Sequence, residues 1–192
     1  MKGLERKKEL ILERERYFAN AVGSAVFEKP KISLWMILIP ILFLHFIYRM
    51  QKFKNGRLKF DEEFMVTRRR AMDLAVGALE TGVKPNMDQV VRQYGLRDAL
   101  ERPYAVWLRS LTEYYTDLLK ANGDSFDALA RSAFRSRADL LLTLNRLNTV
   151  EKEFYAVLKP QLAATEGAAD IIATIETQTQ HLRRQLAEQV FA

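Results

Sequence analysis

The chain has 192 residues, of which 48% are apolar and 28% charged, a composition that excludes a disordered chain and suits one globular domain with appendages. It contains no cysteine, which excludes disulfides, thiolate nucleophiles and cysteine-based zinc sites. The net charge of +6 is uneven: residues 1–70 carry 16 Lys and Arg against 8 Asp and Glu, and the remainder carries 14 against 16. The basic excess therefore belongs to the N-terminal part, where it favours contact with anionic lipid.

Residues 3–22 are predicted to form a charged helix with a narrow apolar stripe. The stripe repeats every seven residues and has two apolar neighbours, so that its members are Leu4, Ile11 and Phe18 with Leu10 and Tyr17. Such a stripe is typical of a helix that lies on a surface or docks on a partner. It equally fits a helix that folds back on the main domain, and both placements stay open. Residues 1–30 are thus predicted to be a charged amphipathic N-terminal unit.

An uncharged apolar segment occupies residues 32–48. Eleven of its 17 residues are Leu, Ile or Phe, which together contribute roughly −3 to −7 kcal/mol to membrane insertion. Its length is at the lower limit for a transmembrane helix. Residues 31–60 are therefore predicted to hold a membrane anchor and its basic linker. The predicted anchoring residues are Ile32, Trp35, Ile37, Pro40, Ile41, Leu44 and Tyr48.

The topology of this anchor has more than one interpretation. The positive-inside rule places its basic C-terminal side in the cytoplasm, which predicts a single-pass membrane protein, in the inner membrane if the source is bacterial. Pro40 divides the segment into two nearly equal halves and lacks the N–H that would continue a helix. A kinked span and a re-entrant hairpin with both basic flanks in the cytoplasm therefore stay open. A buried core helix of a soluble domain is the remaining alternative.

A basic cluster follows the anchor directly, with no acidic residue before Asp61. We predict that it contacts anionic lipid headgroups, because each cation near such a surface contributes up to about 1 kcal/mol. The alternative is that the cluster only sets the topology during insertion. The predicted headgroup contacts are Arg49, Lys52, Lys54, Arg57 and Lys59.

Residues 61–192 are predicted to be an antiparallel helical bundle that folds without the anchor. Apolar residues recur there at intervals of three and four, and no segment alternates as a strand would. Gly, Pro and Asn interrupt the pattern between helices. The helices are expected to begin at Asp61, at Met87, near Pro103, after Ser125 and after Gly167.

The fourth of these helices is expected to be the longest, running unbroken from a cap at Asp124 or Ser125 to Pro160. Two polar residues, Arg137 and Glu151, lie on its apolar seam. They are about 21 Å apart along a helix axis, so they cannot pair with each other. We expect both at a wetter edge of the bundle, and the alternative is a seam that another chain completes.

The sequence lacks the usual motifs of catalysis and ligand binding. His45 and His181 lie far apart, and neither a Gly-rich phosphate loop nor a nucleophile triad is present. Residues 87–96 resemble the start of a helix-turn-helix, but Glu101 and Pro103 stand where the second helix should pack. We therefore predict no catalytic residue, no cofactor and no metal site, and we favour lipid and protein partners over nucleic acid.

These patterns predict an all-α protein in which a short membrane anchor helix, kinked or re-entrant, precedes an antiparallel helical bundle. The predicted function is that of a membrane-anchored interaction or structural protein, which recruits or organises a partner at the cytoplasmic face. Its predicted partners are anionic lipid headgroups and either another protein or a second copy of the chain. Two alternatives stay open: a membrane-associated enzyme that acts on a lipid or lipid-linked substrate, and a membrane-bound DNA-binding regulator.

Overall fold

The computed structural model describes residues 2–27, 56–164 and 167–192, and α-helices account for most of them. No strand occurs in this part of the chain, which confirms the prediction of an all-α fold. The described helices, in chain order, are α1 (Lys2–Phe27), α2 (Gly56–Thr81), α3 (Met87–Arg92), α4 (Asp98–Lys120), α5 (Phe126–Ala133), α6 (Arg137–Gln161) and α7 (Ala168–Val190).

Helix α1 folds back on the bundle and lies antiparallel to α2. Three contacts mark the register of the two helices: Lys8 with Asp73, Glu15 with Arg68, and Phe18 with Phe64. The end of α1 therefore lies beside the start of α2. Side chains of α2 pack so closely on the α1 backbone there that a Cβ added at Gly23 would lie 2.9 Å from Asp61 Oδ1 and 3.0 Å from the Phe60 ring. Of the placements that the sequence left open for this helix, the structure shows packing against the main domain.

The hydrophobic core surrounds α4, which packs against α1, α2, α3, α5 and α6. Its aromatic rings meet those of α6, and the Trp107 and Phe154 centroids are 5.2 Å apart. Helix α1 also contributes to this core with Ile11, Leu12, Ala19, Val22 and Val26, all buried. The core thus extends beyond the boundary expected at residue 61. The predicted division of the chain into three regions, 1–30, 31–60 and 61–192, stays a prediction.

The expected longest helix is two helices, so the prediction of an unbroken helix is wrong. Helix α5 begins after Ser125 and ends at Ala133, and α6 begins after a second cap, Ser136, whose Oγ accepts from the Asp139 N–H at 3.2 Å. The chain is extended at Phe134, which turns it and buries this ring against Tyr114. The serine cap satisfies one backbone N–H at the start of α6, and burial of the Phe134 ring adds stability that offsets the other helical hydrogen bonds lost at the break.

The limits of two other helices also differ from expectation. Helix α2 begins at Gly56 rather than Asp61. Helix α4 begins at Asp98, so that Pro103 lies inside the helix and not in its first turn. Pro160 lies in the last turn of α6, in agreement with the expected end of that helix. A proline near a helix end removes one hydrogen bond, and packing of the helix on the core compensates for this loss.

None of the described helices is both long enough and apolar enough to cross a bilayer. The predicted anchoring residues within 32–48 lie outside the described residues, as do Arg49, Lys52 and Lys54. Arg57 and Lys59 fall in the first turn of α2. The anchor and its headgroup contacts therefore stay predictions.

Candidate functional site

Four charged side chains form a network inside the bundle, and each comes from a different helix. Arg68 of α2 donates through Nε to Glu15 Oε2 of α1 at 2.8 Å. Arg183 of α7 donates through Nη1 to Glu151 Oε2 of α6, also at 2.8 Å. Arg68 Nη2 lies 3.9 Å from the other oxygen of Glu151, which is an ionic contact without a hydrogen bond. The network balances two positive and two negative charges and joins α1, α2, α6 and α7.

Water has little access to this network, because Arg68, Glu151 and Arg183 are 1%, 2% and 4% exposed. Burial by itself lowers the pKa of Arg68, but the carboxylates of Glu15 and Glu151 outweigh it and raise that pKa above its ordinary value. The Phe64 ring covers the guanidinium, with its centroid 3.7 Å from Cζ. Because the charges pair across four helices in a largely buried site, the network fixes how these helices pack, although Glu151 Oε1 accepts no hydrogen bond from a described residue.

Arg137 and Glu151 have different environments, although both were expected at a wetter edge. Arg137 is exposed at the start of α6. Glu151 is buried and paired, so the prediction is wrong for this residue. Its partner Arg183 lies 32 residues later on α7, and antiparallel packing of the two helices brings them together.

Three buried tyrosines, Tyr114, Tyr115 and Tyr155, lie close to the charged network. Burial raises the pKa of each phenol above its ordinary value, because a phenolate would be poorly solvated there. The Glu15 carboxylate adds to the effect at Tyr114 and Tyr115. These phenols therefore stay neutral near physiological pH and act as packing groups.

A polar cleft of about 580 Å³ lies between α6 and α7. Its most buried residues are Glu151 and Thr179, each 2% exposed. Within the described part of the chain, Thr179 Oγ1 has no hydrogen-bond partner. Ten residues line the cleft: Asn145, Asn148, Thr149, Glu151, Lys152, Glu176, Thr177, Thr179, Gln180 and Arg184.

A larger cleft, of about 640 Å³, lies between the end of α2 and the second half of α4. We call it the α2–α4 cleft. Its first wall comes from α2, the following turn and α3, and it is apolar apart from Lys84: Ala78, Leu79, Gly82, Val83, Lys84, Pro85 and Met87. Its second wall comes from α4 and is polar: Arg109, Thr112, Glu113, Thr116, Asp117 and Lys120. One apolar and one charged wall match the two faces of an amphipathic helix.

The apolar wall depends on the tight turn that joins α2 to α3. Gly82 has a φ of +71°, a conformation that glycine adopts without strain, and its N–H donates to the Ala78 carbonyl at 3.0 Å. Asn86 then begins α3 by accepting from the Gln89 N–H at 3.2 Å. Between them the turn leaves Val83 67% exposed at the cleft, where a ligand can cover it.

The α2–α4 cleft carries more positive than negative charge. Three basic side chains line it against two acidic ones, namely Lys84, Arg109 and Lys120 against Glu113 and Asp117. Glu113 is already engaged by Arg146 at 3.7 Å, outside the cleft. Partial burial raises the pKa of Asp117, and Lys120 opposes this shift. None of the three basic side chains forms a salt bridge with another described residue.

Neither cleft was predicted from the sequence, because each brings together two segments that are separated along the chain. The turn signal at Gly82 and Pro85 marks one wall, but no linear pattern connects it to residues 109–120. The described residues also hold no group of three or more His, Cys, Asp or Glu side chains arranged for a metal ion.

Comparison of the chain with protein-family models, with curated proteins and with solved structures finds no match.

Proposed function

We propose that this chain is a membrane-tethered interaction protein, and that its bundle holds an acidic amphipathic helix of a partner protein in the α2–α4 cleft. The observation that carries the proposal is the pairing of an apolar wall with a charged wall across one groove, in which three basic side chains outnumber two acidic ones. The apolar face of the partner helix covers Val83 and Leu79, while its acidic flank meets Arg109 and Lys120. The tether is the apolar segment at residues 32–48, and its basic exit from Arg49 to Lys59 contacts anionic headgroups at the cytoplasmic face.

The positions of tether and cleft along α2 suit this role. The tether joins α2 at its start, Gly56, whereas the cleft begins at Ala78, 22 residues further along. At 1.5 Å per residue, the two lie about 33 Å apart along the helix axis. With α2 directed away from the membrane surface, this length keeps a partner in the cleft clear of the lipid headgroups.

The two alternatives receive less support from the packing. A DNA-reading helix needs a free face, whereas α4, the helix that follows the turn at Gly95, is central and has 12 buried residues. A lipid-active enzyme needs reactive groups that its substrate can reach. Two arginines pair with the carboxylates of the charged network, and neither described cleft contains a histidine among its lining residues.

A pair of matched double variants tests the proposed binding site. Val83→Glu with Arg109→Glu should weaken partner binding by at least about tenfold, because it removes apolar contact and reverses charge in the cleft. Leu142→Glu with Arg184→Glu makes the same chemical change at exposed positions outside the cleft, and it should leave binding intact. The measurement is purification in mild detergent, identification of the retained protein, and titration of that protein against each variant.

Equal affinity of the retained protein for both double variants would contradict the proposal. So would a retained protein whose binding segment, mapped by cross-linking, has no acidic amphipathic helix. All four substituted residues are exposed, so both variants should keep the helical content of the wild type.

A further inference from the structure

The two helices that flank the apolar segment pack directly against each other. The end of α1 and the start of α2 are in contact at Gly23 and Phe60, and the pairs Phe18–Phe64 and Glu15–Arg68 continue the contact along both helices. The last residue of α1, Phe27, and the first residue of α2, Gly56, therefore lie at the same end of the bundle.

Chain length limits the ways in which such a segment can meet a bilayer. A single crossing leaves its flanks on opposite faces of the membrane. Two crossings return to the same face but need about 40 residues, at roughly 20 per helix, whereas only 28 residues separate Phe27 from Gly56. Within the apolar run, Pro40 has eight residues on either side, each well short of one crossing.

A single crossing would also require α1 to leave the bundle. Ile11 and Val22 of α1 are 0% exposed, and both would lose their apolar surroundings. Arg68, itself 1% exposed, would lose its hydrogen bond to Glu15. The contacts that hold α1 therefore oppose a topology that places it across the membrane from α2.

We propose that α1 and α2 lie on the same face of the membrane. The chain then binds a lipid surface without crossing it, in place of the single crossing expected from the sequence. This inference rests on the membrane attachment of the proposed function. Both flanks of the segment are basic, with Lys29 and Lys31 before it and Arg49, Lys52 and Lys54 after it, so same-face placement keeps all of them near anionic headgroups.

Single cysteines report the face on which each helix lies, because the natural chain has none. Glu13→Cys places a thiol on an exposed position of α1, and Leu142→Cys places one on α6, at a side chain that is 71% exposed. Each full-length variant is expressed, and sealed membrane vesicles of both orientations are treated with a membrane-impermeant maleimide. We expect both thiols to react in inside-out vesicles and neither in right-side-out vesicles before detergent is added.

Carbonate extraction of the same membranes separates the claim of membrane attachment from the claim that α1 and α2 lie on the same face. A chain that carbonate washes off the membrane would overturn the attachment itself, and the same-face inference with it. A chain that resists carbonate but reacts at Glu13→Cys and Leu142→Cys from opposite faces would overturn only the inference. Arg184→Cys, also exposed on α7, is a second bundle position, and its labelling should match that of Leu142→Cys in both kinds of vesicle.

Discussion

A variant in which a short Gly-Ser linker replaces residues 28–55 is expected to fold as a water-soluble helical bundle, whereas a fragment of residues 56–192 is expected to lose cooperative folding. The linker can be short because Gly23 and Phe60 are already in contact. The fragment lacks Ile11, Leu12 and Val22, whose burial contributes about 1.5–3 kcal/mol each. The loss approaches the total stability of a typical domain, about 5–15 kcal/mol.

Thermal unfolding followed by circular dichroism, with gel filtration of both chains, measures this difference. A synthetic peptide of residues 2–27 added to the fragment provides the control, because it should restore helical content and a cooperative transition. The expectation from the sequence was that residues 61–192 fold alone, and the packing of α1 is the reason for the change. A fragment that melts cooperatively at the same temperature as the linker variant would show that α1 is dispensable.

Replacement of Arg68 by Met in that soluble variant is expected to reduce the free energy of unfolding by about 3–5 kcal/mol. The substitution leaves Glu15 without its hydrogen-bond donor from Arg68, and it leaves Glu151 paired with Arg183 alone. Removal of one partner of a buried ion pair usually costs about 3–5 kcal/mol, because the other charge stays buried and unpaired. Urea unfolding of both proteins gives the difference.

Arg16→Met provides the matched control, because Arg16 forms an exposed ion pair with Glu9 at 3.9 Å. Exposed pairs contribute about 0–1 kcal/mol, so this change should be small. The double replacement Arg68→Met with Glu15→Leu should cost less than the sum of the two single replacements, because it removes both members of one pair. Equal costs for Arg68→Met and Arg16→Met would show that the network adds nothing to stability.

Most helices were predictable because the apolar periodicity of a packed helix is local in sequence. A glycine was expected to end α2 and a serine to cap α5. The structure confirms both, with Gly82 at a positive φ and Ser125 Oγ accepting from the Ala128 N–H. The break before α6 was missed although Ser136 and Asp139 have the spacing of a capping box, because the apolar seam runs through the break without a change of period.

The network and the clefts were not predictable, because their members come from different helices. Glu15 is 53 residues from Arg68, and Glu151 is 32 residues from Arg183. A single sequence shows each as one charged residue among many, and only the register between packed helices pairs them. The placement of α1 is a similar case: its narrow stripe predicted a helix with one apolar face but could not say what covers that face.

Thiol cross-linking in intact membranes tests most directly whether α1 is packed in the bundle while the chain is on the membrane. Lys8 Nζ lies 3.1 Å from Asp73 Oδ1, so Lys8→Cys with Asp73→Cys should be joined within one chain by a short bis-maleimide. Lys8→Cys with Lys159→Cys is the control pair. Lys8 lies near the end of α4, because its neighbour Lys7 contacts Leu119 there. Lys159 lies near the start of α4, because its neighbour Gln161 contacts Arg97. The two ends of α4 are about 30 Å apart.

The account predicts efficient cross-linking of the first pair and none of the second, in membranes as in the soluble linker variant. If the thiols of the first pair react singly with maleimide in membranes but do not cross-link there, α1 lies apart from α2 and the account is contradicted.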